Sequence, residues 1–348
     1  MRVQERVVES CKEVSQLIFR SFPFPVEPGL RSFGNPGRDS PVYVTCNFDH
    51  TVRLVSRVLA SQDCYLLVAP TQGMNVWCAA AGGHFGVDEV EAAVKLSGIE
   101  NLVDHRRLIL PRLASPGVNR REVRRRTGWR VLFGPIEISD LPAWQSDGFP
   151  RLIPDRTQFP LRKRVEMAIG AGLWPAAIFG VPISLIAGRR RGVVVVALAY
   201  LSSILFGIMY PFYPLEEGFP QAVPFGLLLA LVGAAFVIPA RKGWRDRVLR
   251  AAVLATMGVL IGVDFPSWSP TDVCKQQLLC FLYPATLAPP GFLPEIDAET
   301  CTGCDICVKV CPKGALSLDE NRKAVLSDVD SCMSCYACAQ QCPVDAIS

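Results

Sequence analysis

Tyr65-Leu-Leu-Val-Ala-Pro-Thr-Gln-Gly-Met-Asn-Val-Trp-Cys-Ala-Ala-Ala-Gly-Gly83 decides how the rest of the chain is read. Its first five residues are an unbroken apolar run, which marks a strand buried on both faces, as in a parallel sheet. Pro70-Thr71-Gln72-Gly73 ends the strand in a turn. Asn75 is a good N-cap and the alanines after it are strong helix formers, so a short helix starts there. Cys78 then falls in the first turn of that helix, just past the carboxyl end of a strand. Open α/β sheets bind ligands at that edge. A helix start also favours a thiolate. The competing reading is a buried, inert cysteine.

The same strand–turn–helix rhythm runs outward on both sides. Val42-Tyr-Val-Thr45 reads as a strand ending in Cys46-Asn47, and Val52, Leu54, Val55, Val58 and Leu59 recur at helical spacing. Val87, Val90, Ala93 and Val94 mark another helix. Leu108-Ile-Leu110 is a third strand, ending in the loop from Pro111 to Val118, and Val131-Leu-Phe133 a fourth, ending in Gly134-Pro135. Alternation of this kind predicts a doubly wound, Rossmann-like parallel α/β sheet over residues 26–160, after an N-terminal helix in residues 1–25. The loops after all four strands carry Gly, Pro, Asn or Thr, which let backbone approach a ligand closely. Together they suit a flat, sizeable ligand, although ordinary turns use the same residues.

Half of the residues are apolar and the mean hydropathy is +0.27, too apolar for an ordinary soluble chain. The excess lies in residues 161–284. Runs at 167–188, 192–215 and 218–240 carry no charge, and each exceeds the roughly 20 residues needed to cross a bilayer. Residues 251–263 and 276–292 are weaker candidates, so four or five segments of a multi-pass domain in the cytoplasmic membrane are expected. Arg189–Arg191 and the basic stretch at 241–247 are expected to face the cytoplasm, and Glu216-Glu217 the outside. Keeping the N-terminal domain cytoplasmic then requires the first run, with Pro175 and Pro182, to be a re-entrant hairpin. The net charge of +4 names no partner. Basic residues are not interleaved with stacking aromatics, which argues against nucleic acid. The charged N-terminus lacks the apolar core of a signal peptide.

Eight of the 14 cysteines form two compact runs beyond a Pro- and Ala-rich linker at 285–294. Cys301-Thr-Gly-Cys304-Asp-Ile-Cys307-Val-Lys-Val-Cys311-Pro312 recurs as Cys332-Met-Ser-Cys335-Tyr-Ala-Cys338-Ala-Gln-Gln-Cys342-Pro343. Asp297 and Asp328 precede the runs at matching positions, so residues 295–348 are an internal duplication. This spacing ligates two 4Fe-4S clusters, the fourth Cys of each run serving the other cluster. One cluster takes Cys301, Cys304, Cys307 and Cys342; the other takes Cys332, Cys335, Cys338 and Cys311. Zinc is the alternative, but zinc sites rarely duplicate such a run. The segment resembles the bacterial two-cluster ferredoxins, which carry single electrons. An electron carrier fused to an α/β domain implies that the domain holds something that needs electrons.

The residues around the cap helix carry a further likeness. Asn75-Val-Trp-Cys-Ala-Ala80, Val26-Glu-Pro-Gly-Leu30, Ser40-Pro41, Val44-Thr45, Asn47, Leu108-Ile-Leu-Pro111, Ser115-Pro-Gly-Val118 and Phe133-Gly-Pro135 resemble the corrinoid protein family of mercury methylation (HgcA). In that family a corrinoid α/β domain precedes a membrane domain, and a separate two-cluster ferredoxin (HgcB) is the partner; this chain looks like a fusion of both. It is more distantly similar to the corrinoid iron–sulfur protein of acetyl-CoA synthesis. The resemblance implies a corrinoid (cobalamin) cofactor with Cys78 as lower axial cobalt ligand and catalytic residue. Asn75, Val76, Trp77 and Ala79 would shape the helix beneath the corrin. Thr45, Asn47, Thr71, Pro111, Ser115, Gly117 and Gly134 would line its edge. It implies a membrane-bound corrinoid-dependent methyltransferase with both soluble domains in the cytoplasm. A folate-linked methyltransferase would supply the methyl group and an electron donor would feed the ferredoxin, which returns Co(II) to Co(I). The acceptor would be Hg(II) or another thiol or metal species.

Two departures bear on the acceptor. Ala81-Gly82 stands where the family has Gly-Lys, and no cysteine pair follows Cys342. Cys46 is a possible substitute thiol and His84 a possible rival ligand, with a small core residue and a loop histidine as the plainer readings. Cys11, Cys64, Cys274 and Cys280 read as structural. Two further readings remain: a membrane-anchored 4Fe-4S electron-transfer protein, and a methyl-carrier module of an acetyl-CoA-type pathway.

Overall fold

The computed structural model describes residues 3–19, 22–149, 160–209, 212, 219–232, 243–264, 293–329 and 331–348. The chain divides into two compact units, one made of residues 1–21 and 158–272, the other of residues 22–157 and 273–348. The α/β segment and the cysteine-rich tail therefore share one unit.

In that unit a five-stranded sheet is built from β1 (Gly29–Phe33), β2 (Val42–Cys46), β3 (Cys64–Ala69), β4 (Arg107–Leu110) and β5 (Arg130–Phe133), in the order β1-β3-β2-β4-β5. The last four are parallel, with Val42 beside Tyr65, Tyr43 beside Ile109 and Leu110 beside Phe133. These are the four strands expected. The all-parallel sheet is corrected: β1 runs antiparallel to β3, with Gly29 beside Val68 and Phe33 beside Cys64. Residues 29–33 show neither alternation nor a long apolar run, because an edge strand needs little of either.

The strand order reverses between β2 and β4. Residues of alternate parity face opposite layers, as the two-residue period of a strand demands. Val44, Leu67, Leu108, Leu110 and Val131 pack beneath α3 (Val87–Ser97) and α4 (Arg120–Thr127), through Val90, Ala93, Val94 and Val123. Tyr43, Leu66, Val68 and Ile109 pack against α1 (Asp49–Leu59), through Val52, Val55 and Leu59, and against Trp144 of α5 (Leu141–Ser146). Each fully buried Leu or Val contributes about 1.5–3 kcal/mol. The short α2 (Val76–Ala81) sits at the carboxyl edge of the sheet, between the two layers in sequence. The apolar pattern of α4 is weak: Arg-Arg-Glu-Val-Arg-Arg-Arg-Thr holds a single core residue, Val123, and its local cues are the caps, Asn119 at the start and left-handed Gly128 at the end.

The tail contains α6 (Ile306–Val310), β6 (Leu316–Leu318), β7 (Ala324–Leu326) and α7 (Ala337–Gln341), with β6 and β7 antiparallel. Reciprocal backbone bonds between Glu295 and Ser348 close it end to end. The duplication holds in the backbone. Gly303 and Ser334, Asp305 and Tyr336, and Gly314 and Asp345 occupy matching positions and are all left-handed. Asp297 receives Thr300 Oγ1, as Asp328 receives Ser331 Oγ.

The other unit contains helices at Val3–Ile18, Leu161–Ile186, Arg189–Met209, Phe219–Val232 and Trp244–Asp264. Among the described residues, Leu161–Ile186 and Arg189–Met209 are long and apolar enough to cross a membrane. They run antiparallel in close contact, Gly172 against Tyr200, Gly180 against Val196 and Ser184 against Gly192. The re-entrant hairpin expected at 167–188 is not formed. Pro175 and Pro182 flank a π-turn over Ala176–Gly180, and the helix continues through it. Gly226 and Gly258 let the last two helices cross with backbones nearly touching. Leu185 and Ile186 are more than four-fifths exposed. The candidate segment at 276–292, most of the linker, and Cys274 and Cys280 lie outside the described residues.

Cys46 and Cys64 are fully buried strand residues. Burial pushes the Cys46 thiol up to about 11. Burial, with the nearby Asp63 charge, pushes Cys64 up to about 12. Both stay protonated and unreactive at pH 8. Alkylation of the folded chain at that pH, mapped by mass spectrometry, should leave both unmodified and label exposed Cys11.

Candidate functional site

The turn after β3 and the loop after β2 are locked together by two buried side chains. Asn47 Oδ1 accepts from the backbone of Thr71 at 3.0 Å and of Gly73 at 2.7 Å. Thr71 Oγ1 accepts from Asn47 N at 3.0 Å and lies within hydrogen-bonding reach of Asn47 Oδ1. Asn47 Nδ2 donates to Val26 O at 3.1 Å. Gly73 is left-handed, and a Cβ there would sit 2.6 Å from Pro25 N. Asn47 and Thr71, expected at the ligand edge, thus spend their polar atoms on holding the two loops in register.

This lock aims α2. Asn75 caps the helix, its Oδ1 accepting from Cys78 N at 2.9 Å, while its Nδ2 donates to Cys78 Sγ at 3.0 Å. A helix of six residues has a small dipole, so the nearby amide is the stronger influence on the sulfur. Trp77, Cys78 and Ala79 are buried. The loop after β4 presses on the back of this helix: a Cβ on Gly117 would lie 2.3 Å from Phe85 O and 2.8 Å from Ala80 O. Only glycine fits there.

A cleft of about 470 Å³ opens where the strand order reverses, lined by Thr45, Val76, Pro111 and Gly134 together with Tyr43, Ile109 and Pro135. Four of the residues expected around the corrin edge or the cap helix therefore meet in one cleft, at the place where open α/β sheets take ligands. Cys78, two residues beyond Val76, is fully buried and does not itself line the cleft. Ser115 and Gly117 belong to the loop behind α2 and do not line the cleft.

Two cavities in the tail, of about 320 and 330 Å³, separate the eight cysteines as the spacing requires. Cys301, Cys304, Cys307 and Cys342 line one; Cys311, Cys332, Cys335 and Cys338 line the other. Among the described residues, no three His, Cys, Asp or Glu side chains converge as a single ion would need. Four thiols spread around each cavity are arranged as the ligands of a cluster are. Backbone N–H groups reach the sulfurs of Cys311 from Ala315 (3.3 Å), Cys301 from Ala324 (3.5 Å) and Cys342 from Ala346 (3.2 Å). Such bonds stabilise charge on a ligated cluster. Burial pushes the Cys307 and Cys335 thiols up to about 12.

The tail is docked on the α/β segment. Val310 and Ala337 are part of the same buried core as the sheet, with Ile306 and Cys335 packed against it. Gln341 Nε2 donates to Ser115 O and Val118 O, both at 2.8 Å. Arg121 donates to Pro343 O and to Asp345. The loop that presses on α2 from one side is thus gripped by the tail from the other. Nothing in the sequence pattern announced this contact, because Gln340-Gln341 reads as an ordinary polar helix end.

Residues 19–145 match the family model described as CO dehydrogenase/acetyl-CoA synthase delta subunit, and residues 293–343 match the 4Fe-4S dicluster domain. The chain is 37% identical over 130 residues to the acetyl-CoA decarbonylase/synthase complex subunit gamma of Archaeoglobus fulgidus, covering 37% of this chain and 27% of the relative. The corresponding subunit of Methanopyrus kandleri is 38% identical over 133 residues (37% and 28% covered). That of Methanothermobacter thermautotrophicus is 40% identical over 122 residues (34% and 26% covered). The chain thus spans little more than a quarter of the length of these relatives. The likeness to proteins of acetyl-CoA synthesis, distant in the sequence reading, is borne out for the α/β segment.

Replacing Cys304 by Ser should remove roughly half of the iron per chain and leave the other cluster's electron paramagnetic signal, because each cavity holds its own quartet. Loss of all iron would contradict the separation into two quartets.

Proposed function

We propose that residues 19–145 form a corrinoid-binding methyl-carrier domain and that the dicluster tail is its built-in reductant. The observation that carries this reading is the loop 111–118, held between the tail's Gln341 and the helix that bears Cys78. An electron carrier fixed against the support of a ligand-type cysteine is arranged to serve whatever that cysteine binds. A bound corrinoid would supply a metal that takes up a methyl group only when fully reduced, which is why a reductant belongs at hand.

The chain's own residues supply the rest. Cys78 offers a soft sulfur donor. Asn75 Nδ2 orients that sulfur and moderates its charge, as outer partners of metal ligands do. Thr45, Val76, Pro111 and Gly134 form the wall along which the ligand would lie. The Asn47–Thr71 lock keeps that wall from shifting.

The acceptor is read from the names of the relatives, which are subunits of acetyl-CoA decarbonylase/synthase complexes. They favour a methyl carrier that hands its group to a metal site in a partner subunit. Mercury as acceptor rests on the cap-helix motif, in which Ala81-Gly82 departs from the family. A folate-linked methyl donor, an electron donor to the tail, anchoring through Leu161–Ile186 and Arg189–Met209 in the cytoplasmic membrane, and cytoplasmic exposure of the other unit complete the proposal; because Leu161–Ile186 is one continuous helix, this topology puts Arg189–Arg191 on the outer side and gives up their expected cytoplasmic placement.

Full-length protein reconstituted anaerobically with cobalamin, reduced and methylated with methyl iodide should pass its methyl group to a nickel-containing acetyl-CoA synthase subunit and retain it when offered Hg(II). Transfer to Hg(II) alone would restore the mercury reading. Asn75→Ala should slow methyl uptake by about 10–100-fold, the usual effect of removing an outer-shell partner, and Cys78→Ala by more. Iron content should be unchanged in both variants.

A further inference from the structure

The tail is an internal duplication whose two halves match in sequence and in backbone conformation. A duplicated body of this kind can in principle dock in two orientations that exchange its halves and therefore its two clusters. The docked face is itself drawn from both repeats: Ile306 corresponds to Ala337, Lys309 to Gln340, Val310 to Gln341, Pro312 to Pro343 and Gly314 to Asp345. The apolar contacts of α6 and α7 are common to the two halves in kind. The polar contacts are not. Gln341 fills two carbonyls of the 115–118 loop, Asn119 Nδ2 donates to Gln340 O at 3.3 Å, and Arg121 pairs with Asp345 at 2.6 Å.

We infer that Gln341 and Asp345 are an orientation key, which fixes the tail on the α/β segment so that the cluster of Cys301, Cys304, Cys307 and Cys342 lies at the Arg120–Arg121 end. In the reversed orientation Val310 would stand at Gln341's place and leave Ser115 O and Val118 O without that donor. Gly314 would stand at Asp345's place and leave Arg121 without its carboxylate. Lys309, already paired with Asp305 at 2.6 Å, would replace Gln340. Leaving buried acceptors unmet is costly, so the reversed pose is penalised. Gln341 is 1% exposed, and its Oε1 is buried with no hydrogen-bond partner among the described residues. An apolar residue such as that of the first repeat would avoid this cost, which points to selection for orientation and not for adhesion. In the observed pose Arg121 donates to the carbonyl of Pro343, the residue next to Cys342. This inference rests on contacts within the chain and is independent of what the α/β segment binds.

Hydrogen–deuterium exchange of the full-length, cluster-loaded protein tests it. In the wild type, segments 115–122 and 340–346 should be protected, and segment 309–315 less so. Gln341→Val should raise exchange in 115–122 at least tenfold with iron content retained. Arg121→Ala, which lies outside the tail and cannot disturb cluster ligation, should do the same in 340–346. Moving the key, with Val310→Gln and Gly314→Asp combined with Gln341→Val and Asp345→Gly, should shift protection from 340–346 to 309–315. Unchanged exchange in both single variants would overturn the inference, and so would protection that stays on 340–346 after the key is moved.

Discussion

The loop from Pro111 to Val118 is held on two sides, and the arrangement of the site depends on that grip. On one side Gly117 brings backbone against the carbonyls of Ala80 and Phe85, at a distance that a side chain would forbid. On the other side one amide, that of Gln341, fills two carbonyls of the same loop. Backbone pressed this closely has little freedom, so α2 and the tail are mechanically connected through about eight residues. The Asn47–Thr71 lock restrains the neighbouring loops by a different means, with buried hydrogen bonds in place of steric fit. Between them they leave Asn75 and Cys78 in a single relation to each other.

Much of this was legible in the chain. The four parallel strands announce themselves because each is buried on both faces and so reads as an apolar run with a turn after it. The cap at Asn75 was readable because capping is local chemistry. The quartets of cysteines were readable because a cluster dictates ligand spacing. Features whose cause is non-local were not readable. β1 is a strand because β3 offers it an edge, and α4, with Val123 as its one buried residue, has no apolar stripe to read although its cap at Asn119 is local. Polar residues at a ligand-binding edge read as ligand contacts, and the bonds that join Asn47 to Thr71 appear only in the geometry.

The apolar segment at 161–284 follows the same division. Length and hydropathy identify Leu161–Ile186 and Arg189–Met209, but two prolines in the first suggested a fold-back. A π-turn resolves the conflict without leaving the helical path. The small residues at 172, 180 and 192 then matter as much as the apolar ones, since they set how closely the two helices approach.

A domain of the 4Fe-4S dicluster type and a candidate metal-binding cysteine are thus joined in one compact unit through the loop at 111–118. The most direct measurement is X-ray absorption at the cobalt edge of the full-length protein reconstituted with cobalamin. The account predicts one sulfur neighbour of cobalt, absent in Cys78→Ala. Only nitrogen or oxygen neighbours in the unmodified chain, or failure to retain cobalt at all, would contradict it.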